Sequence, residues 1–456
     1  MLDPTAVQGN LLRGYPFGCA RFVFVSFASP GAGRAALAAL RPAVTTGAPW
    51  PAGRRSALAL NVALTAPGLA ALGLPESVLA GFPEEFRHGM GARSRQLGDA
   101  EPDHPAHWEP GWRRWPEVHA LVSLYGDDDD ALAARRDELL AAPWAQGVAV
   151  VVEERGARLP GATEHFGFAD GLSQPTVAGF PAPRGASPAR PPLAAGEILL
   201  GHVDGEGFPA PAPAPAVLGH DGCFLVFRKL AQDVDAYRAF VADRGRTAPG
   251  GPVELSARMM GRRPDGAPLA EAPPGDPDGF DFAGDPEGRR CPIGAHVRRA
   301  NPRDGFGPER GRFFDRHRMV RRGIPYGAPG DAEVGLLFQC LCASIGRQFE
   351  FVQSQWLNDG NALGLAGERD PVAGSHPPGG GGCMTVPGDP ATGRQLQVVA
   401  GLPRLVAMRG GAYLFVPSLA ALRWLAQGAW AHPAAAGRPT VAATAVSGAQ
   451  RAETAR

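Results

Sequence analysis

The chain has 456 residues, with 45 basic and 45 acidic side chains and no formal net charge. This length allows two or three domains with a sizeable core, and the charge balance excludes a nucleic-acid binder that relies on a strong basic field. Gly and Pro are frequent, at 62 and 47 residues, but 44 % of the chain is hydrophobic, so the composition indicates long loops rather than disorder.

The six cysteines are scattered along the chain, and none of them forms a C-x-x-C or C-x-x-C-H motif. This spacing excludes a zinc ribbon, a thioredoxin-like redox pair and the covalent attachment of a haem. Scattered cysteines are typical of reduced thiols. The N-terminus lacks the basic segment followed by an apolar segment that marks a signal peptide. No apolar run reaches about 18 residues, the length that a membrane-spanning helix needs. We therefore predict a cytoplasmic protein with neither a membrane nor a nucleic acid as its partner.

The first third of the chain shows a strand and helix pattern. Runs of β-branched and aromatic residues predict strands, and an acidic run that precedes an amphipathic stretch predicts the capped start of a helix. A calcium loop is the alternative for that run, but the spacing and glycine of an EF-hand are missing. The predicted strands are Ala20–Phe27, Val118–Tyr125 and Val148–Glu153, and the predicted helices are Gly31–Leu40 and Asp127–Leu140.

The second half of the chain repeats this order. Strands are predicted at Cys223–Phe227 and Val334–Leu341, and helices at Asp233–Asp243 and in the segment that ends at Leu357. Two occurrences of strand and helix at similar separations indicate two related α+β units, each with an antiparallel sheet and helices on one face.

Segments rich in Pro, Gly and Asp separate these elements and are predicted to be loops, because Pro does not fit inside a helix or a central strand. We predict an N-terminal domain at residues 1–160, a C-terminal domain with long loops at 161–432 and a disordered tail at 433–456. The predicted loops are Pro181–Pro192, Phe208–Pro215, Arg246–Arg289 and Ser375–Gly382.

The stretch RCPIGAHVRRANPR carries the first candidate chemistry. His296 lies among several guanidiniums, and Cys291 is the only other metal-ligand candidate nearby. Histidine is a frequent metal ligand and a proximal ligand of haem iron, whereas a guanidinium suits a carboxylate or a haem propionate. On residue types alone, a structural histidine in a basic loop is equally plausible.

Two further stretches have residues that suit catalysis. In EHFGFADGLSQP, Asp170 stands between Gly167 and Gly171, which permit tight turns and the close approach of a flat ligand. In RHRMVRRGIPYG, the arginines form either an anion site or a solvated basic face. A histidine ligand, a carboxylate that moves a proton and a cation that stabilises charge are the groups that peroxide cleavage at a haem requires, and these residue types permit that assignment without forcing it.

The three stretches together resemble the dye-decolourising (DyP-type) peroxidase family. GFADG at 167–171 is similar to the family's G-x-x-D-G motif, CPIGAHVRRANPRD at 291–304 to its proximal-histidine segment and VRRGIPYG at 320–327 to its distal-arginine segment. VQGNLLRGYPFG, EFRHGMGARSRQLGD and FLVFRKLAQDV are similar to the longer bacterial members, and the resemblance extends to about Trp424. Several ordered motifs are far more specific than one.

The resemblance implies duplicated ferredoxin-like domains, with antiparallel sheets and peripheral helices, and one non-covalent haem b per chain held mainly by the C-terminal half. It implies that His296 is the proximal iron ligand, Asp170 the distal acid and base, and Arg321 the distal arginine. The other residues implied to contact the haem are Asn301, Arg303, Gly167, Phe168 and Gly171.

The implied activity is the reduction of hydrogen peroxide with aromatic donors such as dyes and phenols. The oligomeric state is left open, and a homo-oligomer is one of the states considered. The alternatives are iron release from haem, haem sensing and a binding protein without catalysis. A further alternative is a metal-dependent enzyme without porphyrin, but clustered carboxylate or histidine ligands are too few, and His104 and His107 lie in a stretch with Pro and Asp that is typical of loop histidines. Family members often have a carboxylate behind the proximal histidine; here Ser344 stands at the position that we align with it, and Glu350 is a weak substitute. Tyr326, Trp356, Trp424 and Trp430 are candidate radical relays, although packing aromatics are the favoured interpretation.

Overall fold

The computed structural model describes residues 2–51, 54–182, 186–377 and 379–431. The tail that we predicted at 433–456 lies outside the described residues. In the described part of the chain, none of the helices combines the length and apolar character that a membrane crossing requires.

Four strands of the N-terminal region form an antiparallel arrangement in the order β4-β1-β3-β2. A helix follows β1 and another follows β3, so the connectivity is strand, helix, strand, strand, helix, strand. The N-terminal strands are β1 (Cys19–Phe27), β2 (Leu58–Leu64), β3 (Ala120–Gly126) and β4 (Val148–Ala157). The α-helices of this half are α1 (Gly9–Leu12), α2 (Pro30–Leu40), α3 (Ala66–Ala71), α4 (Glu76–Leu79), α5 (Glu84–Ala92), α6 (Ser94–Leu97) and α7 (Asp129–Ala141).

The C-terminal strands repeat this order as β11-β5-β8-β6, with β7 also paired to β8. Because both units have the ferredoxin-like strand order, the predicted duplication is confirmed. The strands are β5 (Cys223–Gln232), β6 (Val320–Arg321), β7 (Ile324–Tyr326), β8 (Gly335–Cys342), β9 (Gly382–Val386), β10 (Gln397–Leu402) and β11 (Val406–Val416). The α-helices are α8 (Val234–Gly245), α9 (Gly251–Met260), α10 (His296–Ala300), α11 (Pro308–Asp315) and α12 (Leu419–Gln427).

Shorter helical segments connect the main elements. Two consecutive π-helical segments, Ile345–Glu350 and Val352–Leu357, follow β8. The short 3₁₀ segments are Arg41–Ala43, Pro105–His107, Trp112–Glu117, Pro143–Ala145, Pro160–Ala162, Ala195–Glu197, Ala362–Gly364 and Ala429–Ala431. Strands β9 and β10 form a separate two-stranded sheet.

The two units join where β2 meets β11, so that nine of the eleven described strands form one continuous sheet. The backbone pairing at this join is the single pair Leu64 and Phe415. The buried amide of Gln8 completes it: Nε2 donates to the carbonyls of Val62 (2.7 Å) and Pro417 (3.1 Å), and Oε1 accepts from the N–H of Val62 (2.9 Å). One side chain thereby pairs backbone groups that would otherwise be buried without partners.

The far edges of the sheet approach each other at Gly156 of β4. A Cβ atom there would lie 2.4 Å from Cγ2 of Ile324 in β7, so only glycine permits this contact. Most of the buried apolar residues of both units form one core, and a smaller core surrounds α8, α9 and the segment before α10. Phe168 is buried in this smaller core.

Several elements differ from the sequence-based expectation. The predicted loop Arg246–Arg289 contains helix α9, which starts with Pro252 in its first turn and ends at Gly261 with φ of 90°. Strands β2 and β11 were not predicted. Asn61 interrupts the apolar pattern of β2, and Gly410 and Gly411 interrupt that of β11. These polar and small residues conceal both strands because strand prediction relies on uninterrupted apolar or alternating runs.

Candidate active site

Helix α10 starts at His296, and the imidazole contacts a buried carboxylate. His296 Nδ1 lies 3.0 Å from Oδ2 and 3.1 Å from Oδ1 of Asp370, whose side chain has no exposed surface. Asp370 Oδ1 also accepts hydrogen bonds from the backbone N–H groups of Val372 (2.9 Å) and Ala373 (2.7 Å), which fix its orientation. This arrangement occupies Nδ1 and leaves Nε2 as the nitrogen available for a metal.

The ion pair changes the pKa values of both partners. Burial opposes protonation of His296, but the charge and hydrogen bond of Asp370 outweigh it, so the pKa of this imidazole is raised. Burial alone would raise the pKa of Asp370, but His296 and then Arg299 lower it below its usual value. The Asp370 carboxylate is therefore ionised, and it makes the imidazole more basic.

The expectation that Ser344 or Glu350 lies behind His296 is wrong. Ser344 Oγ accepts a hydrogen bond from the N–H of Arg347 (3.2 Å) and caps the helical segment that follows β8. Glu350 forms two hydrogen bonds of 2.6 Å with the guanidinium of Arg93 and accepts a third from the hydroxyl of Tyr413. Both side chains are engaged elsewhere, and Asp370 takes the role.

The loop that carries Asp170 is organised by Glu164. The carboxylate of Glu164 accepts hydrogen bonds from the backbone N–H groups of Phe166 and Phe168, both 2.9 Å, and from Nε2 of Gln232 (2.6 Å). Burial raises the pKa of Glu164 despite these hydrogen bonds. Asp170 follows in an exposed position, with its Oδ1 accepting from the N–H of Gly171 (2.6 Å).

Arg321 is attached to the same loop. Its Nη2 donates to the carbonyl of Leu172 (2.7 Å), and its backbone N–H donates to Oε1 of Gln174 (2.9 Å). Burial lowers the pKa of Arg321, whereas the charge of Asp170 acts in the opposite direction. Arg322 instead donates to the carbonyls of Asn10 (2.7 Å) and Leu11 (3.1 Å), so the two neighbouring arginines have different partners.

Asp170 and Arg321 line a common cavity of about 670 Å³. The N-terminal segment from Asn10 to Phe17 forms another wall of this cavity. The charge of Arg321 also acts on His296 and opposes its protonation, so the two groups are close enough to interact electrostatically. The structure therefore places Asp170 and Arg321 in one cavity, and it places His296 within electrostatic range of Arg321.

Comparisons with known proteins agree with this arrangement. The DyP dimeric alpha+beta barrel domain matches residues 6–160, and the Dyp-type peroxidase C-terminal domain matches residues 218–388. Peroxidase 2 of Mycetinis scorodonius is 30 % identical to the chain, over 92 % of the chain and 87 % of the relative. The chain belongs to the Dyp-type peroxidase family.

This Dyp-type peroxidase is also 33 % identical to the multifunctional dye peroxidase DyP2 of Amycolatopsis sp., over 80 % of the chain and 82 % of the relative. The solved structure of a dye-decolorizing peroxidase in complex with 2,6-dimethoxyphenol has a TM-score of 0.78 and 28 % identity, and the alignment covers 93 % of this chain and all of that one. The relatives thus include fungal as well as bacterial proteins. Because the family consists of haem enzymes, the chain is a haem-dependent peroxidase.

The residues of this Dyp-type peroxidase fit a haem on three observations. First, 28 % of the His296 side chain is accessible although the imidazole lies deep in the protein, so it faces an internal space. Second, Gly167 and Gly171 have φ of 98° and 77°, and a Cβ atom on either would meet nothing within 4 Å. Open space above a glycine loop suits a flat ligand.

The third observation is a group of guanidiniums with too few counterions. Burial lowers the pKa of Arg303 to about 9, and three neighbouring arginines act in the same direction. Arg303 itself has φ of 53° and donates to the carbonyls of Asp278 (3.0 Å) and Phe280. Such a group favours carboxylates, as the haem propionates are. The three neighbouring arginines are Arg190, Arg318 and Arg262.

Asn301 ends helix α10, and its Oδ1 is buried without a hydrogen-bond partner among the described residues. The expectation that the other arginines of this stretch suit a ligand is wrong for two of them. Arg298 donates to the carbonyl of Cys291 (2.6 Å), and Arg299 donates to that of Trp356 (2.7 Å). Burial raises the pKa of the Cys291 thiol to about 12, which disfavours the thiolate that a metal needs.

The histidines His104 and His107 have local partners of their own. His107 pairs with Glu101 at 2.6 Å, and Nδ1 of His104 accepts from the N–H of Ala106 (3.3 Å), as loop histidines do. Of the candidate relays, Tyr326 and Trp356 are buried in the core. Trp424 and Trp430 are partly buried, with their rings 5.0 Å apart.

Proposed function

We propose that the chain binds one non-covalent haem b, which His296 would hold through Nε2 with Arg321 nearby. The hydrogen bond from Nδ1 to Asp370 supports this because it fixes the tautomer in which Nε2 carries a lone pair. Further contacts are assigned to Gly167, Phe168, Gly171, Asn301 and Arg303, with Arg303 directed at a propionate.

The observation that carries the proposed chemistry is the hydrogen bond between Arg321 and the carbonyl of Leu172, two residues after Asp170. It holds a cation and a carboxylate in one cavity. Bound haem supplies the redox-active iron at which peroxide is reduced. Asp170 takes a proton from one oxygen of hydrogen peroxide and delivers it to the other, which leaves as water, and Arg321 stabilises the negative charge on the departing oxygen.

The proposed donors are aromatic molecules such as dyes and phenols. A similar solved dye-decolorizing peroxidase carries 2,6-dimethoxyphenol, and the cavity of about 670 Å³ beside Asp170 and Arg321 provides space for a small phenol. Donors that are too large for this cavity require transfer of electrons through the protein, for which Trp424 and Trp430 are the more accessible of the four aromatic candidates.

Two variants test the distal assignment. Asp170→Asn should lower the second-order rate constant for peroxide by roughly 100-fold or more, because general acid and base catalysis contributes about that much. Arg321→Leu should lower it by a comparable factor, since it removes one stabilising charge. Both variants should bind haem normally. Rates close to wild type in stopped-flow measurements would remove the residue from its role.

The proximal assignment has its own test. His296→Ala should lose haem or show an altered Soret band on purification with haem supply, and an unchanged spectrum would contradict it. Release of iron from haem without peroxide turnover, measured on the same sample, would favour the alternative function over the peroxidase.

We further propose a cytoplasmic location and two domains, at residues 1–160 and 161–432. All six cysteines are unpaired, which suits a reducing compartment. The repeated strand order of the two units supports the division. Fractionation of cells and limited proteolysis test the two statements, and light scattering tests self-association.

A further inference from the structure

A second group of chemically active side chains lies just before β5, apart from the residues assigned to the haem. The carboxylate of Asp221 stands between two imidazoles. Its Oδ1 lies 2.7 Å from Nε2 of His202, and its Oδ2 lies 3.0 Å from Nδ1 of His220. One potential ligand atom from each residue lies within 4.8 Å of the other two. The described residues thus bring together two imidazole nitrogens and one carboxylate over a span that a single metal ion can bridge.

The backbone holds these three residues together. Two segments pair directly: the N–H of Leu200 donates to the carbonyl of Gly222 (2.8 Å), and the N–H of Asp221 donates to the carbonyl of Leu200 (3.1 Å). Gly201 permits the close approach, because it has φ of 79° and a Cβ atom there would lie 2.7 Å from Cδ2 of His220. The positions of the side chains therefore follow from the fold, which reduces the entropy lost on binding a ligand.

We propose that His202, His220 and Asp221 bind one divalent transition-metal ion, with zinc as the representative, and that water completes the coordination. Two imidazoles and one carboxylate are a donor set of catalytic and transport zinc sites, whereas magnesium and calcium prefer oxygen ligands alone. The exposed fractions of the side chains are 16 % for His202, 53 % for His220 and 26 % for Asp221, so the site is open to solvent on one side.

The separations are close to those that a metal requires. Ligand atoms of a tetrahedral zinc site lie roughly 3.3 Å apart, given bonds of about 2.0–2.1 Å. The His202 and Asp221 pair therefore needs to open by about 0.6 Å and the His220 and Asp221 pair by about 0.3 Å. The ligand nitrogens of the two imidazoles, which lie within 4.8 Å of each other, need to approach the same separation. The ring proton of each bound nitrogen moves to the other nitrogen of the same imidazole, through solvent, so each histidine stays neutral.

The haem-loaded enzyme is first treated with a chelator and desalted. It is then dialysed to equilibrium against zinc chloride, and elemental analysis measures the zinc that it binds. The variants are His202→Ala, His220→Ala and Asp221→Ala. The matched control is His107→Ala, because His107 has the same exposed fraction as His220, 53 %, and contacts one carboxylate without a second imidazole. The Soret band of each variant reports that the fold is retained.

Wild type and His107→Ala should bind one more equivalent of zinc than the other three variants, and loss of one ligand should weaken this binding by at least about tenfold. Zinc should also raise the melting temperature of wild type and of the control, but not of His220→Ala. Equal zinc binding in all five proteins, or no stoichiometric binding by wild type, would show that the group is a hydrogen-bonded cluster only and would overturn the proposal.

Discussion

Replacing Asp370 with Asn tests the proximal side with a nearly isosteric change. Oδ1 of Asp370 accepts two backbone N–H groups, from Val372 and Ala373, so the amide oxygen of Asn must stay at this position. The amide NH₂ then replaces Oδ2, which lies 3.0 Å from Nδ1 of His296. Two donors face each other unless the imidazole changes tautomer, and the other tautomer puts the proton on Nε2, the proposed iron ligand.

We expect Asp370→Asn to weaken haem binding by about 10- to 100-fold, the usual effect of losing a carboxylate behind a ligating histidine, which corresponds to about 1.4–2.7 kcal/mol. The imidazole also becomes less basic, so the reduction potential of the iron should rise. Haem titration of the apoprotein, followed at the Soret band, measures the first effect, and spectroelectrochemistry measures the second.

The matched control is Glu350→Gln. Glu350 is another buried carboxylate of the C-terminal half, but it pairs with Arg93 and Tyr413 and does not contact His296. Its replacement should lower stability without changing the reduction potential. If Asp370→Asn left both haem affinity and potential at their wild-type values, the account of the proximal histidine would be refuted.

Three further outcomes are expected. Gly167→Ala should destabilise the protein by about 1–2 kcal/mol in denaturant unfolding because of its φ of 98°, whereas Gly284→Ala, with equally open space and no left-handed φ, should have little effect. Glu164→Gln should lower the rate of reaction with peroxide by roughly tenfold while haem binding persists, because one backbone N–H of the Asp170 loop loses its acceptor. A rate equal to that of wild type would show that other contacts hold the loop. Burial lowers the pKa of His317 and His376 below 6.5, so the unfolded chain binds more protons and the free energy of unfolding should fall as pH drops below 6.5; a flat profile in urea titrations at several pH values would contradict this.

The sequence predicted those elements and site residues that a single short segment specifies. Apolar runs predicted β1 and β5. Three motifs indicated Asp170, His296 and Arg321, although these residues are far apart in the sequence. Asp370 was missed because it lies 74 residues after His296 and no local pattern marks it.

The roles of neighbouring arginines could not be read from the sequence either. Arg298, Arg299 and Arg303 all donate to backbone carbonyls. Arg298 and Arg299 do so through two or three nitrogens, whereas Arg303 does so through Nη1 and stands among other guanidiniums. Which arginines keep donors available for a ligand depends on backbone packing. Only the folded chain determines that.

The join between β2 and β11 has a consequence for biosynthesis. Strand β2 of the N-terminal unit leaves the ribosome early, yet its partner β11 is among the last elements to be translated. Until then the nascent chain presents an apolar strand edge with unpaired backbone groups, a known risk for aggregation. The side chain of Gln8 is already available to cover Val62 during this interval, and the first unit completes its sheet only when translation of the second is nearly finished.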